Sequence, residues 1–123
     1  MRVIIAGSRG FADYAFLRQK MDYLLSETPG GITIVSGGAR GADSMGERYA
    51  GERGYEVARY PAEWEKYGKS AGYRRNAVMA ANADALVAFW DGKSPGTRHM
   101  INLAREKGLK IRLVLFGGDA QCV

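Results

Sequence analysis

The sequence predicts an α/β domain of the doubly wound, Rossmann-like kind: a mostly parallel five-stranded sheet in the order 3-2-1-4-5, with helices on both faces. Two observations predict it. Five short apolar runs, at residues 3–6, 32–35, 55–60, 85–90 and 111–116, alternate with segments of helical period, the pattern of strand–helix–strand crossovers. Three of these runs empty into glycine-bearing turns, Gly7-Ser8-Arg9-Gly10, Ser36-Gly37-Gly38-Ala39-Arg40-Gly41-Ala42-Asp43 and Asp91-Gly92-Lys93-Ser94-Pro95-Gly96-Thr97. In an open parallel sheet such strand exits share one rim, where ligands bind.

Taken in order, Val3-Ile4-Ile5-Ala6 is a first strand, apolar throughout as a strand covered on both faces should be. Leu17, Met21, Leu24 and Leu25 then recur at helical spacing until Pro29-Gly30-Gly31 stops the helix. After the second strand, Ala42, Met45 and Tyr49 fall on one face of a second helix that ends at Arg53-Gly54. The third run mixes Glu56 and Arg59 among its apolar residues, which places it at a sheet edge. Residues 61–72 show no clear period and read as a long connection at a strand's carboxyl end. A third helix covers residues 72–79, with Arg75, Asn76 and Met79 on one face. A fourth begins at Pro95 or Gly96, buries Met100, Ile101 and Ala104, and ends at Lys107-Gly108. The fifth run, like the first, second and fourth, is nearly continuous in apolar residues and reads as a strand buried on both faces. The domain is expected to occupy residues 1–116, with 117–123 a polar tail.

With 123 residues, 46% hydrophobic and 25% charged, the chain has the composition of one soluble globular domain. No apolar run approaches the roughly 20 residues of a membrane helix, and the first strand begins where a signal peptide would stand; no membrane partner and a cytoplasmic location are expected. The single cysteine, Cys122, cannot form an internal disulfide. Eighteen Lys and Arg against thirteen Asp and Glu give a net charge of +5, which favours anionic partners. The basic residues are scattered, so most of them read as an ordinary solvated surface.

Backbone N–H groups at a glycine turn that opens a helix point outward at the positive end of the helix dipole, an arrangement suited to phosphate. The candidate phosphate-binding residues are Gly7, Ser8, Arg9, Ser36, Gly37, Gly38, Arg40, Gly41, Asp43, Arg75, Asn76, Asp91, Ser94, Gly96 and Thr97. The hydroxyls would donate to phosphate and an arginine fork would match its oxygens. Several have a plainer role as well: a tight turn for the glycines, a favourable charge at the helix dipole for Asp43, an exposed first-turn side chain for Arg40, a surface ion pair for Arg75 and a helix-start hydrogen bond for Asn76. Trp64 and Tyr67 are candidates to stack on a base, or to pin the long connection or meet a subunit instead. His99 is the only histidine, so no His/Cys metal set can be assembled. Neither the P-loop pattern nor the dinucleotide fingerprint is present. No metal, cofactor or catalytic residue is assigned.

These motifs, with Pro61-Ala62-x-Trp64, Ala71-Gly72, Arg75-Asn76-x-x-Met79, Ala83-Asp84 and Phe89-Trp90-Asp91-Gly92 in order along residues 2–116, closely resemble the SLOG superfamily, within it the small YspA-type branch. The resemblance implies a Rossmann-like domain that binds a nucleotide or nucleotide-derived ligand at the strand-end rim, and a homodimer paired through helices. Relatives named by it are the Lonely Guy phosphoribohydrolases, which cleave the base from a nucleoside monophosphate, and the DNA-processing protein DprA, which binds single-stranded DNA. Arg75-Asn76-Ala77-Val78-Met79 resembles the Arg-Lys-x-x-Met motif of the Lonely Guy enzymes with Asn76 in place of lysine. Gly96-Thr97 resembles the core of their second motif, but the catalytic glutamate's position is Met100, and methionine can neither stabilise a sugar cation nor activate water. Asp43, Asp91 or Glu63 would have to replace it. The expected function is therefore nucleotide binding as a sensor or carrier. The alternatives are N-glycosidic hydrolysis and a single-stranded nucleic-acid module.

Overall fold

The computed structural model describes residues 1–28, 30–38 and 41–116; Arg40 and the expected tail at 117–123 lie outside them. The chain runs β1 (Arg2–Gly7), α1 (Tyr14–Leu25), β2 (Thr33–Ser36), α2 (Ala42–Arg53), β3 (Glu56–Arg59), α3 (Trp64–Tyr67), a 3₁₀ turn (Gly68–Ser70), α4 (Ala71–Ala81), β4 (Ala85–Trp90), α5 (Pro95–Glu106) and β5 (Lys110–Leu115). All four strand pairings are parallel and the order is β3-β2-β1-β4-β5. The expected sheet is the observed one.

Alternation along the strands builds two cores from one sheet. Val3 and Ile5 of β1, with Ile34, Val87 and Phe89, face Leu17 and Met21 of α1 and Ala42, Tyr49 and Ala50 of α2. Ile4 and Ala6, with Val35, Leu86 and Ala88, face Met79 and Ala80 of α4 and Met100, Ile101 and Ala104 of α5. Successive side chains of a strand point to opposite faces, so a run such as Val3-Ile4-Ile5-Ala6 has to be apolar at every position.

Close approach of α2 to β1 depends on Gly46. A Cβ there would stand 2.9 Å from Cβ of Ile5 and 3.1 Å from its Cγ2, and Ile5 is fully buried in the central strand. Alanine normally gains about 1 kcal/mol over glycine inside a helix, but overpacking a core typically costs about 1–3 kcal/mol. Gly46→Ala is therefore expected to be net destabilising, by on the order of 1 kcal/mol, as read from the midpoint of urea unfolding.

Two expectations are corrected. The segment at 61–72 is not irregular: Trp64–Tyr67 makes one helical turn and Gly68–Ser70 a 3₁₀ turn leading into α4, elements too short to show a period. The fifth strand is not buried on both faces. The order that puts β3 at one edge puts β5 at the other, with β4 its only neighbour among the described residues, and Leu113 and Leu115 remain 42% and 56% exposed. The interruption by Arg112 is the same edge signal that Glu56 and Arg59 gave for β3.

Candidate ligand site

At the carboxyl ends of β1 and β4, where the strand order reverses, the structure opens a cleft of about 470 Å³, within the range of about 300–1,000 Å³ usual for small-molecule sites. Its floor is the turn Gly7-Ser8-Arg9-Gly10; Gly72, Tyr73, Arg75, Asn76 and Met79 of α4 form one wall; the start of α5 and Asp91 form the other; Trp64 and Lys69 stand at the mouth. Of the residues expected at the site, Gly7, Ser8, Arg9, Asp43, Trp64, Arg75, Asn76, Asp91, Ser94, Gly96 and Thr97 line this one cleft. Topology brings them together from five separate stretches of chain.

Gly37 supports the cleft from behind. Arg75 Nη1 donates to the Gly37 carbonyl at 2.6 Å. A Cβ on Gly37 would meet Arg75 Cζ at 2.8 Å and Asp43 Oδ2 at 2.8 Å, so this glycine is what lets guanidinium and carboxylate sit over the chain. Arg75 Nε donates to Asn76 Oδ1 at 3.1 Å, and Asn76 Nδ2 lies 3.3 Å from both the Gly96 carbonyl and His99 Nδ1. A chain of contacts thus runs from the second glycine loop through α4 to the start of α5. Burial pushes the Arg75 pKa down; Asp43 raises it and the charge of Arg9 lowers it further. Arg9 and Arg75 therefore repel each other across the cleft floor, and an anion would relieve that repulsion.

Two of the hydroxyls expected to meet phosphate, those of Ser8 and Ser94, are committed to the loops. Ser94 Oγ lies 2.8 Å from Ser8 Oγ and 3.1 Å from Asp91 Oδ2, and Ser8 Oγ accepts from the Asp91 N–H at 3.2 Å. Asp91 Oδ1 accepts from the N–H groups of Lys93 and Ser94, both at 2.8 Å. Pro95 has no N–H, so Gly96 and Thr97 supply the first-turn N–H groups of α5 that have no intrahelical acceptor.

The Ser94 and Lys93 backbone bonds hold the Asp91 carboxyl below the usual carboxylate range. A depressed folded value means stability that is present above the ordinary carboxylate value and lost as pH falls toward the lower one. Asp91→Asn keeps an Oδ1 acceptor without the charge. It is expected to melt below the parent at neutral pH, Asp91→Ala lower still, and the gap between parent and Asp91→Asn should narrow as pH falls below the ordinary carboxylate value and through the depressed one.

Ser36, Gly38, Gly41 and Tyr67 do not line the cleft. Ser36 Oγ donates to Glu47 Oε2 at 2.6 Å and accepts from the Gly38 N–H at 3.1 Å, so the donor expected on phosphate is already used inside its own loop. Glu47 in turn pairs with Arg59, tying the loop to β3. Gly41, at φ 75°, would place a Cβ 2.5 Å from the Ser8 carbonyl oxygen; it packs loop against loop. Tyr67 lies under the guanidinium of Arg74, 4.3 Å from its ring centroid. Tyr73 and Lys69 take the aromatic and basic places that sequence reasoning missed. Their signal was present: the face of Arg75, Asn76 and Met79 extends back one turn to Gly72 and another to Lys69, a continuation hidden by the 3₁₀ turn. Among the described residues no cluster of His, Cys, Asp and Glu suited to a metal occurs, and no helix is long and apolar enough to cross a membrane.

The sequence pattern of the YspA, cpYpsA-related SLOG family matches residues 1–67. Gene 61 protein of Mycobacterium phage D29 is 39% identical over 116 residues, covering 89% of this chain and 93% of the phage protein. Among solved structures, DNA processing protein A (DprA) from Streptococcus pneumoniae superposes with a TM-score of 0.72 at 18% identity. The alignment covers 94% of this chain and 50% of DprA, so the chain spans half the length of that protein. A predicted subunit of a tRNA methyltransferase from Methanocaldococcus jannaschii gives a TM-score of 0.49 at 12% identity, over 98% of this chain and 71% of that one.

Proposed function

Because the chain belongs to the YspA, cpYpsA-related SLOG family, we propose that its cleft binds a phosphorylated nucleotide or nucleotide-derived ligand, as a sensor or carrier. One observation carries this reading: two guanidiniums, Arg9 and Arg75, that repel each other beside the open N-terminus of α5. The Asp43 carboxylate offsets part of this positive charge, and phosphate would supply further negative charge together with acceptor oxygens for both guanidiniums. Lys69 adds a third positive charge at the mouth. The apolar, planar part of a nucleotide has a partner there too, because Trp64 lines the cleft and is 51% exposed, with its Cη2 3.4 Å from where a Cβ of Gly72 would be.

A second reading, cleavage of the N-glycosidic bond, is favoured by one feature: the buried Asp43 carboxylate lines the same cleft as Arg75. Against it, the buried side chain at position 100 that faces the cleft is methionine. The experiment that separates them incubates the protein with nucleoside monophosphates and diphosphates, ADP-ribose and NAD, reading thermal shift and released base in the same samples. A ligand at 100 times its Kd stabilises by about 2.7 kcal/mol, so a rise of several degrees without released base is the expected result. Released base that Asp43→Asn abolishes would establish the hydrolase instead. No shift with any nucleotide, together with single-stranded DNA binding that falls steeply with salt, would replace both readings with a nucleic-acid module.

A further inference from the structure

We propose that His99 is a positioning residue for Arg75, acting through the Asn76 amide, and that protonation of its ring disconnects the two. Three contacts fix how the amide is turned. Its Oδ1 accepts from Arg75 Nε at 3.1 Å, and its Nδ2 reaches the Gly96 carbonyl, a group that can only accept, at 3.3 Å. The second amide hydrogen is left for His99 Nδ1, also at 3.3 Å. That nitrogen must then be the acceptor, which makes His99 the Nε2–H tautomer. An asparagine held this way presents its carbonyl to Arg75 and nothing else, while Arg75 Nη1 is held separately by Gly37.

A proton on Nδ1 turns an acceptor into a donor. If the amide keeps its orientation, two donors face each other; if it flips, its NH2 faces Arg75 Nε–H and its oxygen faces Gly96. In the first case the amide loses its tie to the ring and is anchored by Gly96 alone; in the second the contact with Arg75 Nε is itself lost. From α4, Tyr73 meets it edge-on, ring centroids 4.5 Å apart, beside the Asn76 amide. Along α5 itself Glu106 is the charge that acts on it, opposing the effect of burial, which holds the ring's pKa below the ordinary histidine value. The ring is therefore neutral and the link intact at neutral pH, and the link is lost as pH falls below that ordinary value.

His99 is the only histidine of the chain, so proton–nitrogen correlation NMR of the ring is unambiguous, and the Arg75 Nε–H signal can be assigned by its loss in Arg75→Lys. In the free protein the Nε2–H tautomer is expected above neutrality, and the Arg75 signal should move with the same midpoint as the ring. In His99→Asn, whose oxygen can occupy the Nδ1 position and does not titrate, the Arg75 signal should stay fixed. An Nδ1–H tautomer, or an Arg75 signal indifferent to the ring's titration, overturns the inference.

A binding arm rests on the proposed function, with adenosine 5′-monophosphate as probe. Taking the ratio of parent to His99→Asn affinities removes the probe's own titration. That ratio should fall about tenfold as pH drops through the ring's midpoint, the size of one charge-assisted hydrogen bond. His99→Leu should bind weakly at every pH, with His99→Asn restoring the loss. A ratio that does not change with pH overturns the inference. If the probe binds neither protein while the NMR coupling holds, the positioning role stands and the nucleotide reading falls.

Discussion

Arg75→Ala is expected to bind nucleoside monophosphate at least about 30-fold more weakly than the parent, the order of effect for deleting a partly buried cation that meets an anionic group. The reason lies in how it is held. Its Nη1 and Nε are fixed by the Gly37 carbonyl and the Asn76 amide, so its remaining donors are preorganised and lose little freedom on meeting phosphate. The fold should survive, because the deletion removes no core residue; leaving the Gly37 carbonyl and Asn76 Oδ1 short of a donor costs about 1–3 kcal/mol. Calorimetric titration beside a thermal melt separates the two effects. Arg75→Lys should recover charge but not geometry, and bind between the two. Full affinity in Arg75→Ala, with loss of binding in Arg9→Ala, would move the anion to the other side of the floor.

The sheet was legible because parallel strands covered on both faces must be apolar at every position, and residues 3–6 and 85–90 are so. The strand order is that of a doubly wound sheet, whose reversal between β1 and β4 is where the cleft opens. β5 misled for the converse reason: at an edge with little to cover Leu113 and Leu115, its composition still looks like a core strand, and only Arg112 marks the difference. The glycine loops were legible as a group but not one by one. Gly37 and Gly38 are adjacent and chemically identical, yet Gly37 underlies Arg75 and Asp43 while Gly38 gives its N–H to Ser36. No sequence rule distinguishes them, since the difference is made by α4, 38 residues away along the chain. From the sequence, His99 is a lone histidine that assembles no metal set; its contact with Asn76 arises from the packing of α4 on α5, which one sequence does not announce.

Gly7→Ala should have the largest effect on folding among alanine substitutions of Gly7, Gly10 and Gly96, about 3 kcal/mol or more of a total that for such domains is only about 5–15 kcal/mol. Gly7 ends the central strand, in register with Phe89 of β4. A Cβ there would run into the Phe89 carbonyl oxygen and stand 2.9 Å from Cβ of Ala42 and 3.0 Å from the Phe89 carbonyl carbon. None of these atoms can yield cheaply. The Phe89 carbonyl is held by the Ser8 N–H at 3.0 Å, and Ala42 is the fully buried first residue of α2. Flexible ends of side chains could swing away; here backbone on one side and a helix start on the other oppose any shift. Gly10 and Gly96 line the same cleft, yet a Cβ on either meets nothing within 4 Å, so their alanine variants should fold within about 0.5 kcal/mol of the parent. Urea unfolding of the three variants therefore tests whether the first glycine turn exists for the ligand or for the sheet. A Gly7→Ala protein as stable as Gly10→Ala would mean that β1 and β4 stand further apart at the rim, and that the cleft floor is shaped by something other than their close approach.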